Sequence, residues 1–521
     1  MAVSLWRSTA VVGAMTLLSR ILGFARDMVL ARMFGAGGAM DAFLVAFKIP
    51  NFLRRLFAEG SFSQAFVPVL AEQKNQQSPE EVRRVVGLVT GTLGLILLGI
   101  TALGVLGAPV LITLFAPGFA DDTAQFNLAS GLLHITFPYL FFISLTALAG
   151  GVLNTYGSFA PPAFTPVLLN LSFILIAPWL ARELPEPIYA LAWAVFFAGV
   201  AQLLFQVPFL WRISMLAWPR WGWRDPVVKR ILTLMLPSLF GSSIAQVNLL
   251  LDTLIASFLA AGSVSWLYYS DRLMEFPLGL FGIALGTVLL PSLSSRHAEN
   301  DRDKFSDTLD WGLRLVLVLG VPAAVGLGVF AEPIVATLFY SREFDLHDVD
   351  MAAASLTTYT VGLMGFVAVK ILVPGYFARQ DTRTPVRIGI TCMGANMLFN
   401  LILIPLWLWF DYPAPHAGLA LSTGLASLLN AALLYRGLRR DDVYRPRKGW
   451  WRLSLRVIVA AAAMAALLKW AQGVPADWAA LRSLHRVGNL VFWISMAAAL
   501  YFAVLTVAGL RPRHLRSPET P

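Results

Sequence analysis

Residues 19–30 read SRILGFARDMVL, and they lie inside a longer apolar run that has the length of a membrane-spanning helix. Three charged residues, Arg20, Arg26 and Asp27, interrupt that run. On a helix with 100° per residue they share an arc of about 120° with Ser19, and the opposite face is aliphatic. A charge at mid-bilayer costs about 3 kcal/mol, so this arc is predicted to face protein or a water-filled cavity.

Apolar runs of similar length recur along the whole chain. Its 521 residues are 57% hydrophobic and 13% charged, whereas soluble domains carry about 25% charged residues. A single cysteine excludes a disulfide framework. The pattern predicts an all-α integral membrane protein with about 14 transmembrane helices. Their predicted starts lie near residues 8, 41, 85, 128, 163, 188, 231, 266, 312, 352, 386, 416, 453 and 487.

The positive charges are distributed unevenly between the predicted connections. Of 40 Lys and Arg residues, 26 lie in the N-terminus, the even-numbered connections and the C-terminus, and 5 lie in the odd-numbered connections. The positive-inside rule therefore predicts that both termini are cytoplasmic. Because topology explains most of the net charge of +10, we expect membrane lipid around the protein and no nucleic-acid partner.

The sequence also repeats itself. DMVLARMFGAG from Asp27 matches DTLIASFLAAG from Asp252 at a shift of 225 residues, and three further matches have shifts of 223 or 224. We therefore predict two parallel six-helix lobes, 1–222 and 223–447, followed by a two-helix C-terminal appendage, 448–521. Transporters built from such repeats bind substrate between the halves and rock one half against the other.

The second predicted span adds charges to the first. Asp41, Lys48 and Arg55 follow a seven-residue spacing that places them on one helix face. Pro50 interrupts the hydrogen-bond ladder between them. Helical phase therefore leaves open whether Arg54 or Arg55 points inward.

Spans 1 and 2 together contain more cations than anions. A purely structural network would tend to balance, so the surplus predicts an anionic ligand, and the planar guanidinium of arginine suits phosphate. The alternative is an internal salt-bridge network that only holds helices together, in which Arg55 pairs with Glu59 one turn away. The five cations are Arg20, Arg26, Lys48, Arg54 and Arg55, and the three anions are Asp27, Asp41 and Glu59.

The second half of the chain contributes its own charges. SDRLMEF contains Asp271, Arg272 and Glu275, and a further span holds Lys370. Arg272 and Glu275 are three residues apart, so Glu275 is expected to satisfy Arg272 in part.

Three polar residues in lipid-length runs suggest a cation site. Asp252, Asn396 and Asn400 supply oxygens suited to Na⁺ or H⁺ coupling, although hydrogen bonds between helices are the alternative. Nucleotide-binding and metal-enzyme motifs are absent from the sequence. We therefore predict a transporter without a bound cofactor, and not an enzyme.

Three long motifs resemble the MurJ (MviN) family of bacterial lipid II flippases, which is related to the MATE-like exporters. They are MTLLSRILGFARD from residue 15, GAGGAMDAFLVAFKIPNFLRRLFAEGSFSQAFVPVLAE from residue 35, and AGSVSWLYYSDRLMEFPLGL from residue 261. The resemblance implies fourteen spans, two six-helix lobes and a cationic central cavity. It also implies that the last two spans form a groove for the polyprenyl tail.

The resemblance further implies roles for individual residues. Arg20, Arg26, Arg54 and Arg272 would contact the pyrophosphate or its sugars, and Asp41 would be essential. Arg54 is thereby favoured over Arg55, a choice that periodicity left open. Ser19 and Asn51 complete the predicted substrate-binding set, and Asp27, Lys48, Arg55, Glu59, Asp271, Glu275 and Lys370 are predicted as secondary cavity charges. In the implied cation site, Asn400 stands where a carboxylate is expected.

The expected function is to flip lipid II from the cytoplasmic to the periplasmic leaflet of the bacterial inner membrane for cell wall synthesis. Alternating access would move the headgroup, driven by the membrane potential or an ion gradient. One alternative is an ion-coupled exporter of drugs or of another polyprenyl-linked glycan. The other is a non-transporting scaffold of the wall-building complex, which would tolerate loss of the buried arginines.

Overall fold

The structure, a computed structural model, describes residues 2–56, 62–299 and 301–510. Within those ranges the regular secondary structure is helical, and no strand is present. The predicted all-α class is therefore confirmed. By its internal contacts the chain divides into two compact units, residues 1–265 and 266–521.

Among the residues that the structure describes, the first unit contains eleven α-helices and the start of a twelfth. Side-chain caps fix several helix starts, because an aspartate or serine oxygen accepts from the free backbone N–H groups there. Asp122 accepts from Ala124 N and Asp225 accepts from Val227 N, each at 2.9 Å. The helices are α1 Ala2–Phe34, α2 Gly38–Arg54, α3 Ser63–Gln76, α4 Pro79–Leu106, α5 Ala108–Phe115, α6 Thr123–Thr136, α7 Tyr139–Thr155, α8 Ala160–Leu171, α9 Ala177–Leu180, α10 Tyr189–Arg212 and α11 Pro226–Ala256.

Helix pairing in this unit positions the charged faces of α1 and α2. α1 packs against α8, and α2 packs against α6, while α7 and α10 pack together beside them. Thr136 Oγ1 donates to Ala46 O at 2.9 Å and joins α6 to α2. Between α8 and α9 the helix widens into a π-helical turn, Ser172–Ile176. Such π-bulges are frequently found at functional sites.

Within its described residues, the second unit contains most of the twelfth α-helix and nine more. α16 and α18 make close backbone contact, since a Cβ added at Gly362 would lie 2.2 Å from Gly424 Cα. Small residues at such crossings let membrane helices approach closely. The helices are α12 Ser263–Ala298, α13 Arg302–Leu315, α14 Val321–Val329, α15 Ala331–Phe339, α16 Leu346–Phe377, α17 Arg383–Trp409, α18 Ala417–Arg440, α19 Trp450–Gln472, α20 Pro475–Ala480 and α21 Ser483–Val507.

The last two long helices form a pair. α19 and α21 pack against each other, α19 also packs on α14, and α21 packs on α15. Tyr501 Oη donates to Val318 O at 2.7 Å, and Gln472 Nε2 donates to Glu332 Oε2 at 2.7 Å. Polar contacts thus fix this pair to the middle of the second unit.

A buried carboxylate fixes the connection that leads into α19. Asp310, on α13, is buried and accepts four hydrogen bonds. Tyr444 Oη and Trp450 Nε1 each donate to Oδ1 at 2.8 Å, and Arg447 N donates at 3.2 Å. Arg314 Nε donates to Oδ2 at 2.6 Å. We call these five residues the Asp310 cluster.

We expect Asp310→Ala to lower the free energy of unfolding by about 2–3 kcal/mol, because it leaves the buried hydroxyl of Tyr444 and the half-buried guanidinium of Arg314 without their shared acceptor. Thermal unfolding of the purified protein measures the loss. The matched control is Glu72→Ala, which breaks an exposed pair with Arg230 and is expected to cost about 1 kcal/mol or less. Equal losses in both variants would contradict a structural role for the cluster.

Ten helical stretches among the described residues are long and apolar enough to cross a membrane. They coincide with ten of the fourteen predicted spans, so a multi-span membrane protein is confirmed. The other four predicted spans correspond to α1, α2, α11 and α12. α2 has only 17 residues. The ten stretches are Pro79–Leu106, Thr123–Thr155, Ala160–Leu180, Tyr189–Arg212, Arg302–Val329, Leu346–Phe377, Arg383–Trp409, Ala417–Arg440, Trp450–Gln472 and Ser483–Val507.

The count of fourteen spans therefore stays a prediction. The two compact units reflect packing, whereas the predicted boundaries at residues 222 and 447 reflect an internal repeat. Because the units do not test the repeat, the two six-helix lobes and the two-helix appendage also stay predictions.

Candidate substrate site

The charged face of α1 is organised around Arg26. Its Nε and Nη2 both donate to Asp27 Oδ1, at 2.9 and 2.7 Å, and its Nη1 donates to Asn170 Oδ1 at 3.1 Å. The guanidinium also lies over the ring of Phe173, 5.6 Å from the centroid. Asp27 is buried and Arg26 is half-buried. The cation is thus held by a carboxylate, an amide and an aromatic face.

Asn170 joins α8 to two places on α1. Its Nδ2 donates to Ser19 O at 2.9 Å, while its Oδ1 accepts from Arg26. A Cβ added at Gly23 would lie 3.6 Å from Asn170 Nδ2, an ordinary van der Waals distance, so Asn170 packs directly over this turn of α1. Arg20 is exposed on the same helix. The polar arc predicted for α1 is therefore anchored by a residue on another helix.

The polar residues of α2 are held along the helix and by α11. Lys48 Nζ donates to Thr253 Oγ1 at 2.9 Å. Arg54 Nε donates to Asn51 Oδ1 at 3.1 Å, and the Asn51 amide donates to Phe47 O. Arg54 is half-buried.

Two further predicted charges, Arg55 and Glu59, follow Arg54 in the sequence. The side chain of Arg55 is exposed, whereas that of Arg54 is half-buried. Glu59 lies outside the described residues, so its predicted pairing with Arg55 stays a prediction.

Asp41 joins the start of α2 to the start of α12. Its Oδ2 accepts from Gly262 N at 2.7 Å, and its Oδ1 accepts from Ser265 N at 2.8 Å and from Ser265 Oγ at 2.5 Å. Gly262 has φ of +100°, a left-handed conformation that favours glycine. A buried carboxylate that caps a helix N-terminus is stabilised by the helix dipole as well as by its three donors.

The predicted charges of α12 lie in the second unit. Arg272 Nη1 donates to Glu275 Oε2 at 2.7 Å, as the three-residue spacing predicts. The Arg272 guanidinium also lies 5.0 Å from the ring centroid of Tyr268. Asp271 is half-buried and Glu275 is exposed.

The remaining predicted residues are distributed over three helices. Lys370 is exposed on α16. Asp252 is half-buried on α11 in the first unit, and Asn396 and Asn400 are buried on α17 in the second. The cation site formed by these three stays a prediction, as does the convergence of Arg272 with the arginines of α1 and α2.

Comparison with known proteins identifies the family. The model of the family "Lipid II flippase MurJ" matches residues 30–487. A probable lipid II flippase MurJ of Vibrio cholerae is 47% identical over 98% of each chain. That of Haemophilus influenzae is 48% identical over 96% of this chain and 99% of its own. This chain belongs to the lipid II flippase MurJ family.

Solved structures agree with the family assignment. A lipid II flippase MurJ in an inward closed conformation has a TM-score of 0.75 at 25% identity, with 95% of this chain and 97% of that chain covered. An inward-facing MATE family transporter of the MOP superfamily has a TM-score of 0.66 over 83% and 98%, but at 14% identity it shows the fold alone. The predicted resemblance to the MurJ family is confirmed.

Sequence reasoning about this MurJ family member missed several partners of the predicted residues. Asn170, Thr253 and Ser265 each bond to a predicted charge from a helix distant in sequence. Asn170 had a usable signal, since it is an amide within the apolar run PVLLNLSFILI. Thr253 and Ser265 carried no such sequence signal, because Ser and Thr are common in membrane helices and usually hydrogen-bond to the backbone of their own helix.

Proposed function

We propose that this chain flips lipid II from the cytoplasmic to the periplasmic leaflet by alternating access, in support of cell wall synthesis. Its membership of the lipid II flippase MurJ family carries the proposal, because relatives at 47% and 48% identity match nearly end to end. Flippases are transporters and not enzymes, in agreement with the prediction from sequence.

In this proposal arginines bind the pyrophosphate of lipid II. Arg26 and Arg272 each already hold a carboxylate at 2.7 Å. A phosphate oxygen can therefore take the place of Asp27 or Glu275 at a guanidinium that is already oriented. Such an exchange of one anion for another costs little side-chain entropy, because the arginine is already held in place. The planar guanidinium can also donate two parallel hydrogen bonds to one phosphate group.

In this proposal the hydrogen bonds of Asp41 hold a gate closed in one state of the transport cycle. Asp41 and Ser265 are 224 residues apart, which equals the shift of the predicted repeat within one residue. In a parallel repeat, only residues close to the pseudo-two-fold axis can meet their own counterparts. The contact therefore supports the predicted parallel repeat, and rocking of the proposed lobes would open it.

The energy source in this proposal is the membrane potential or an ion gradient. Moving about two negative charges outward across an inside-negative membrane releases about 2.3 kcal/mol per charge per 100 mV. Asp252, Asn396 and Asn400 are the proposed residues for Na⁺ or H⁺ coupling. The α19 and α21 pair is proposed to carry the polyprenyl tail, since its contacts with α14 and α15 use only part of its surface and exposed apolar residues such as Ile458 and Val491 cover the rest.

The proposed location is the bacterial inner membrane, with both termini in the cytoplasm. The 26-to-5 distribution of Lys and Arg supports this orientation. We expect a C-terminal fusion to a protein that fluoresces only in the cytoplasm to be bright. A fusion that is well expressed and inserted but dark would contradict the orientation.

Reconstituted lipid II transport tests the proposed function. Purified protein in vesicles should move lipid II between leaflets, and an inside-negative potential should accelerate movement in the outward direction. A hydrophobic cation that competes, or a preference for a different polyprenyl-linked glycan, would favour the exporter alternative. Unchanged transport after removal of Arg20, Arg26, Arg54 and Arg272 would contradict the proposed site.

A further inference from the structure

Residues 215–225 connect α10 to α11 and read MLAWPRWGWRD. They form an irregular segment, with a turn at residues 222–225, in which three tryptophans are mostly exposed: Trp218 by 83%, Trp221 by 58% and Trp223 by 51%. Trp221 and Trp223 stack on each other with ring centroids 6.0 Å apart. Three exposed indoles in eleven residues would be costly in water, so a less polar surrounding is indicated.

Two glycines on α4 hold this segment in place. Gly87 and Gly91 are one turn apart, and Arg220 N donates to Gly87 O at 3.0 Å. Gly222 N donates to Thr92 Oγ1 at 2.9 Å. A Cβ at Gly91 would lie 2.3 Å from Arg220 O, so only glycine admits the segment. Small residues at this spacing commonly pack membrane helices together, but here they contact a non-helical segment.

The position along α4 places the segment at the membrane surface. The first turns of α4 carry charge up to Arg84, and apolar residues follow from Val85. Gly87 and Thr92 lie about 5 and 12 Å beyond Arg84 along the helix axis. The polar layer on each side of a bilayer is about 5–7 Å thick. The segment therefore spans the headgroup layer and the outer edge of the hydrocarbon, where tryptophan is enriched.

The same region has exposed cations without acidic partners. Arg212, Arg220, Arg224 and Lys229 are exposed, and none of the four makes an ion pair within the described part of the chain. Asp225 lies beside them but is bonded to Arg84 at 3.1 Å. A local surplus of positive charge at headgroup depth attracts anions.

We propose that residues 215–225, together with Arg212 and Lys229, form a binding site for the headgroup of an anionic phospholipid. The guanidinium groups of Arg220 and Arg224 bind the phosphate diester, and the indole rings of Trp221 and Trp223 lie against the glycerol backbone and the first methylenes. We call this site the α4 surface site. It lies in the connection between α10 and α11 and is separate from the residues proposed to bind lipid II.

Competition between two lipids tests the site. Full-length protein is equilibrated in detergent with equal amounts of phosphatidylglycerol and phosphatidylcholine, and native mass spectrometry counts the lipids that each molecule retains. The wild-type protein should prefer phosphatidylglycerol. The double variant Arg220→Gln, Arg224→Gln should reduce that preference by about fivefold or more, and added salt should weaken it.

A matched control distinguishes a specific lipid-binding site from a general effect of positive surface charge. Arg436 and Arg439 are exposed on α18 and make no ion pair with any described residue, but no tryptophan cluster lies beside them in sequence. Arg436→Gln, Arg439→Gln should leave most of the preference intact. An equal loss in the control, or no preference in the wild-type protein, would overturn the proposal.

Two further experiments test the identity of the ligand and the way in which α4 holds the segment. Millimolar inorganic phosphate should not displace the lipid, because it offers nothing to the indoles; displacement would assign the site to free phosphate. Gly91→Leu should detach the segment and abolish the preference while both arginines remain. If that variant elutes as folded protein and keeps its preference, the geometry proposed for the site is wrong.

Discussion

Asp41→Ala is expected to reduce lipid II transport per folded molecule by about tenfold or more, because it removes three hydrogen bonds to one carboxylate, each worth about 1.5–3 kcal/mol. Asp41 accepts from Gly262 N, Ser265 N and Ser265 Oγ. Without it, the start of α12 loses its cap and one state of the transport cycle loses its stabilising contact. Transport of reconstituted lipid II, divided by the amount of folded protein, measures the effect.

Variants that remove different numbers of these hydrogen bonds distinguish a role of Asp41 in gating from a role only in capping α12. Ser265→Ala removes one of the three bonds and should have a smaller effect than Asp41→Ala. Asp41→Asn should also impair transport, since the amide can accept from Ser265 only by turning its own N–H₂ toward Gly262 N. Asp122→Ala is the matched control, because Asp122 caps α6 with an exposed side chain. Normal transport by folded Asp41→Ala protein would exclude the proposed gate.

Arg26→Ala is expected to abolish lipid II transport while the protein still inserts and folds. The guanidinium is proposed to exchange Asp27 for a phosphate oxygen, and no alanine can do so. Arg26→Lys should restore little, because an ammonium keeps the charge but loses the planar fork. The amount of folded protein and the transport per folded molecule are measured for each variant.

The double variant Arg26→Ala, Asp27→Ala decides between substrate binding and structural pairing. If Arg26 only neutralises Asp27, the single variant leaves a buried charge that costs about 3–5 kcal/mol, and removing both restores stability and transport. If Arg26 binds pyrophosphate, the double variant regains stability and remains inactive. Normal transport in the double variant would therefore end the substrate-binding interpretation of Arg26.

The sequence alone determined the class of protein and the position of most of its spans. Hydropathy is a property of about 20 consecutive residues, because each helix must by itself match the bilayer thickness. Ten predicted spans therefore correspond to apolar helices. The polar arc of α1 was predictable for a similar reason, since helical periodicity depends only on neighbours a few residues away. The motifs around Arg26 and Asp41 were specific enough to predict the family.

Only the tertiary structure decided the partners of these charges. Arg26 bonds to Asn170, 144 residues away, and Asp41 bonds to Ser265, 224 residues away. Periodicity names the face of a helix that is polar but cannot name the helix that packs against it. Residues 215–225 are rich in tryptophan and arginine, but only the structure shows that Gly91 contacts their backbone. A buried polar group requires a partner, and which partner it finds depends on the packing of helices that are remote in sequence.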